Sequence, residues 1–212
     1  MLRRLSEMLA RLAAPVDAPA GGGLVPGEPY VDARPTAHDV RGFRVVVENT
    51  RPDIRTEDVL RRLDEALALA ERHQPWRVRH LRRDVREIRV VRFSCRGAYL
   101  PGEGVVVTEL TLLARTDITA APVSASILHE GMHARVDRME LHGESRDPAR
   151  EERICRRAEL DFGLALPPEL GAPVVERAAA SLQLADEDVA PVVDWSEAQR
   201  RQDAVDAAAR RR

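Results

Sequence analysis

His129 and His133 stand four residues apart, with Glu130 between them, in the stretch ILHEGMHARVDRMELHG at 127–143. On a helix, positions i and i+4 lie one turn apart on the same face, so the two imidazoles can converge on a single ion. Zinc accepts that pair well. Its catalytic sites take three protein ligands and keep a fourth position for water, whose pKa the ion lowers towards neutrality. Glu130, beside the first histidine, would then reach that water and take its proton. H-E-x-x-H thus holds two ligands and a general base in five residues. The same five residues can also be a polar patch on a helix surface or the core of a purely structural metal site, so the surroundings must discriminate.

A third ligand has four candidates: His142, Glu144, Glu151 and Glu152. In the metzincin pattern a third histidine follows the second by six residues, and here Met139 stands there. The chain must instead turn back. Gly143 is a stop for the first helix, and ESRD can reverse the chain. A second helix then starts at DPAREE, with Asp147 as its cap and Pro148 at its first position, and PP stops it after Leu166. Both Glu151 and Glu152 fall early in it. Glu151 aligns with the apolar Ile154, Cys155, Ala158 and Phe162. Glu152 shares its flank with Glu159, which could orient one histidine from outside. His142 reads as a histidine at a helix C-terminus, or an alternate ligand or transition-state donor. Tyr99 could stabilise an oxyanion or pack in its loop, and Arg115 could meet a substrate carboxylate or be solvated.

Strands should precede these helices. FRVVVENT is β-branched, and RPD after it is a turn. A helix follows, capped by Thr56, with Val59, Leu60, Leu63, Ala66, Leu67 and Ala70 in one stripe that ends near HQP. REIRVVRFS and GVVVTELTLL read as two strands of a hairpin around the turn-rich RGAYLPGEG. From Ala120 the pattern turns helical through the histidines. The plan is α+β, with the chemistry in its helical half.

HEGMH, then eighteen residues, then Glu152 resembles the H-E-x-x-H-x18-E arrangement of the gluzincin metallopeptidases, over roughly residues 105–165. The resemblance implies a zincin-like fold: a small antiparallel or mixed sheet with an edge strand, an active-site helix and a third-ligand helix. It implies one Zn2+ held by His129, His133 and Glu152, with Glu151 and His142 as alternates, and Glu130 as general base. In that clan a peptide substrate adds to the edge strand before the active-site helix, here GVVVTELTLLART at about 105–115. The chain departs from the aminopeptidase members, having Glu151 where they carry Asn and lacking their exopeptidase signature. Its length is similar to that of compact bacterial members such as minigluzincins or repressor-cleaving metallopeptidases.

The totals agree with one domain and extra segments at its ends: 212 residues, 44% hydrophobic, 32% charged. An amphipathic helix is expected within 1–14, a Pro/Gly-rich linker at 15–30, the zincin-like domain at 31–170, and a helical extension at 171–212 ending in WSEAQRRQDAVDAAARRR. A net charge of -2 and 3% aromatics leave neither the field nor the ring platforms for nucleic acid. No run has the length of a membrane span, and no secretory signal opens the chain, so a cytoplasmic location is the default. Cys95 and Cys155 are too few for a disulfide scaffold and read as reduced, packed thiols. Nothing in the sequence sets an oligomeric state. The function expected is that of a zinc-dependent hydrolase, first of all a metallopeptidase; the rival is a non-catalytic binding or scaffold protein on the same fold, with its metal structural or lost.

Overall fold

Val45, Val46 and Val47, and then Val105, Val106 and Val107, are unbroken β-branched runs, and such runs suit strands covered on both faces. They form the centre of a five-stranded mixed sheet in a computed structural model that describes residues 34–139, 147–190 and 194–209. The expected N-terminal helix and linker, and also His142, Gly143 and Glu144, lie outside these residues. The strands are β1 (Thr36–Val40), β2 (Phe43–Val47), β3 (Glu87–Val91), β4 (Gly97–Leu100) and β5 (Val105–Glu109), in the order β1-β2-β3-β5-β4. β1 is antiparallel to β2 through the two-residue turn Arg41–Gly42, where both residues have positive φ and so match the twist of a tight hairpin.

β2 and β3 are parallel, which demands a long crossover. α1 (Thr56–His73) and α2 (Pro75–Asp84) provide it. α1 buries the expected stripe, Val59, Leu63, Ala66, Leu67 and Ala70, against the sheet face formed by Val45, Val47, Ile88, Val90 and Val106. Its N-cap is Arg55 rather than Thr56, whose hydroxyl oxygen accepts instead from Asn49 Nδ2 at 3.2 Å. α2 was not foreseen. The Pro75 that ends one helical pattern is also a favourable first residue for the next helix.

The hairpin expected from REIRVVRFS and GVVVTELTLL is not one: β3 and β5 are parallel neighbours. The antiparallel partner of β5 is β4, which lies inside the stretch read as turn. Residues 105–109 are therefore not an edge strand. β5 is paired on both sides and all five of its residues are buried, and 110–114 form the short helix α3 (Leu110–Ala114). The open edge on this side of the sheet belongs to β4.

α4 (Ala121–Arg138) carries the two histidines and crosses the same sheet face as α1. α5 (Pro148–Ala165) follows, with Asp147 as its N-cap accepting from Arg150 N at 3.0 Å and Pro148 in its first turn. α6 (Pro168–Leu182) packs along α5, and the short α7 (Asp186–Val189) comes next. α8 (Trp195–Ala209) returns to the loops after β2 and β3, where Asp206 accepts from Arg51 at 3.0 Å and Arg92 at 2.8 Å. Among the described residues no helix is long and apolar enough to cross a membrane.

Candidate metal centre

α4 needs an apolar face to lie on the sheet, and Val123, Ile127 and Leu128 supply it. The helical period then sends His129 and His133 to the opposite flank, towards α5. Gly131, between them, faces α2: a Cβ there would stand 2.5 Å from Leu81 Cδ1. The glycine of HEGMH thus lets α2 and α4 approach closely enough to fix the angle of the motif.

The two imidazoles meet through Nε2, 3.2 Å apart. Glu152 bridges them, with Oε1 3.2 Å from His133 Nε2 and Oε2 3.3 Å from His129 Nε2. Behind the rings, His133 Nδ1 lies 2.7 Å from Glu151 Oε1, and His129 Nδ1 lies 2.7 Å from Glu159 Oε1, the latter a charge contact off the line of a good hydrogen bond. A carboxylate lies at each Nδ1, the arrangement that in metal sites favours the ring proton on Nδ1 and leaves Nε2 to the ion. Nitrogen and oxygen ligands about 2.0–2.1 Å from a tetrahedral zinc sit about 3.3 Å from one another. The two Nε2 atoms, and each Nε2 with one oxygen of Glu152, match that spacing, so the donor types fit the ion with the Glu152 carboxylate spanning the two rings.

Burial by itself would lower both histidines. Interaction with neighbouring acceptors outweighs it, from Glu152 and Glu159 on His129 and from Cys155, Glu151 and Glu152 on His133, and both are raised. Burial pushes Glu152 and Glu159 up, but both histidines hold Glu152, and His129 with the charges of Arg177 and Arg156 holds Glu159, below the usual carboxylate range. Glu130 differs. It is 8% exposed, and burial raises its carboxyl in spite of His129 and His133. A carboxyl raised in this way holds a proton more readily than an exposed glutamate, which suits a group that takes and returns one.

These residues form the floor of a cleft of ≈ 600 Å3 whose far wall is β4 with the preceding Cys95 and Arg96. Glu130 rests directly against Gly97 of that strand. Tyr99 also lines the cleft, with its hydroxyl donating to Asp137 Oδ2 at 3.0 Å, at the end of α4; burial and that carboxylate raise the phenol to about 12. Arg115 lies outside the cleft lining and is paired with Asp117 at 2.5 Å.

Four participants were missed from the sequence. Cys155, expected as plain core, is buried with its Sγ within 4.8 Å of ring nitrogens of both histidines; its place three residues after Glu152 was the available signal. Arg156 donates to Glu159 Oε1 at 2.7 Å, and it stands one turn from both Glu152 and Glu159. Arg177 reaches Glu159 Oε2 from α6, and Arg96 comes from the loop before β4. No local pattern marks those two, because their elements meet the centre only through the fold.

Comparison of the chain with protein-family models, with curated proteins and with solved structures finds no match.

Proposed function

We propose that this chain is a zinc-dependent hydrolase with a zincin-like fold, a peptidase, in which His129, His133 and Glu152 hold one zinc ion. The observation that carries this is the convergence of two Nε2 atoms and one carboxylate within 3.3 Å, at the floor of an open cleft with Glu130 beside them. Zinc held there supplies Lewis acidity towards a carbonyl oxygen and acidifies water. Glu151 and Glu159 act through the rings, keeping both Nδ1 atoms protonated and both Nε2 atoms available. Glu130 takes the proton of the attacking water on a carboxylate oxygen and returns it to the leaving amide nitrogen. An extended peptide pairs with the outer edge of β4, which has no strand partner among the described residues and runs beside Glu130. The substrate edge is therefore assigned to 97–100 in place of 105–115.

The experiment is to measure zinc content and hydrolysis of a mixed peptide pool by the wild type and Glu130→Gln. The expected result is about one zinc per chain in both, with cleavage reduced about 100-fold or more in the variant. A wild type that binds no zinc, or a variant that cleaves as fast as the wild type, sinks the proposal.

Cys155 favours a second reading. A thiolate joining His129, His133 and Glu152 would close the centre with four ligands, as in structural sites, and leave a binding or scaffold protein. Cobalt substitution separates the two. A near-ultraviolet sulfur-to-metal band that vanishes in Cys155→Ala marks the closed centre, and its absence marks the open one.

A further inference from the structure

Glu159 is enclosed by more positive charge than it needs. His129, Arg156 and Arg177 all touch it. One donor from each guanidinium is used there, while Arg156 Nε is buried with no hydrogen-bond partner. Arg96, across the cleft at the start of β4, is exposed and makes no ion pair with any described residue. The arginines also feel one another: burial lowers the basicity of Arg177, and the charges of Arg96 and Arg156 lower it further, against the pull of Glu159. Three guanidiniums thus face one end of the cleft, and each has five donors. Their surplus is suited to a planar anion, which a guanidinium binds in a forked geometry.

We propose that Arg96, with Arg156 and Arg177 behind it, receives a carboxylate of the substrate beside the centre, making the preferred substrates peptides with a carboxylate at a set distance from the bond cut. This rests on the peptidase reading for its chemistry and, for its binding, on the three arginines together with a divalent ion in the centre. Charge supports it: the cleft floor has four glutamates, and one divalent ion with three arginines exceeds them by one. Arg115, the earlier candidate for this task, is paired with Asp117. The carboxylate has two possible sources, the C-terminus of a peptide or an acidic side chain within it.

The test uses the zinc-loaded full chain carrying Glu130→Gln, so that binding is read without turnover. Three fluorescein-labelled hexaalanine peptides are titrated by anisotropy: one with a free C-terminal carboxylate, one amidated, and one amidated with a single internal Glu. A carboxylate-bearing peptide is expected to bind about ten times tighter than the neutral one, and whichever of the two binds tighter identifies the source. In Arg96→Gln, an exposed position with no ion pair to lose among the described residues, that preference should fall below about threefold, with Arg96→Lys keeping part of it. Equal binding of all three peptides, or a preference that survives Arg96→Gln, overturns the proposal. Should the wild type cleave nothing while the preference is present and depends on Arg96, the peptidase reading fails and the carboxylate site stands.

Discussion

Gly97 and Glu130 are in contact across the cleft: a Cβ on residue 97 would lie 3.1 Å from both Cγ and Oε1 of Glu130, and equally 3.1 Å from the carbonyl oxygen of Val107. The carboxyl that would move the proton is therefore packed against the backbone of the strand that would hold the substrate. Gly97→Ala requires Glu130 to yield by a few tenths of an ångström, because the Val107 carbonyl belongs to the sheet. The expected cost is about 1 kcal/mol of stability, with kcat reduced, zinc content unchanged and Gly97→Val worse on both counts. Unchanged kcat in both variants would remove the link between strand and base.

Gly131 faces the other way, into α2. Replacing it by Ala improves helix propensity by about 1 kcal/mol, but drives a Cβ to 2.5 Å from Leu81 Cδ1 in a full core. Overpacking typically costs about 1–3 kcal/mol. A net loss of about 1 kcal/mol is expected in urea denaturation, and Leu81→Ala in the same chain should relieve the crowding, so that the two changes are non-additive.

Glu159→Gln and Glu151→Gln test the carboxylates behind the rings. Each leaves its histidine in place and weakens the hold on Nδ1, so zinc affinity should fall about 10- to 100-fold in competition with a chelator. Glu152→Gln removes a direct donor and should cost more than either. Equal losses for all three would mean that Glu152 does not stand apart.

Removing zinc should lower Tm. The centre joins α4 to α5, so an ion bound only by the folded chain stabilises it by about 2.7 kcal/mol when free zinc is a hundred times Kd. Adding a chelator should lower the melting temperature and adding zinc should restore it. Identical melting curves in excess zinc and in chelator would exclude a metal that bridges these helices.

Tyr99 yields a pH dependence that involves none of the proposed zinc ligands. Its phenol is raised to about 12 in the folded chain, by burial and then by its bond to Asp137. A raised folded value means that the neutral form is the one stabilised. The contribution is complete below about pH 10, the ordinary tyrosine value, and is lost as the pH rises from there through about 12. The difference in ultraviolet absorbance between wild type and Tyr99→Phe, followed through alkaline titration, should show a midpoint near 12. A midpoint near 10 would mean that the bond to Asp137 does not persist.

Much of the site could be read from the sequence because its parts are local. His129 and His133 share a face by helical period alone, Asp147 and Pro148 mark the start of the following helix, and Glu152 and Glu159 fall on one flank of it. Such features depend on spacings of three and four residues, which the backbone imposes anywhere. Three things depended on tertiary structure. Residues 105–109 became an interior strand because four residues of apparent turn, 97–100, pair with them, and a short half-buried strand has too weak a pattern to read alone. Which acid faces which nitrogen of which ring was decided by the crossing of α4 and α5, an angle that sequence spacing does not encode. Arg96 and Arg177 reach the cleft across 33 and 48 residues of chain measured from His129, and only packing can bring them there.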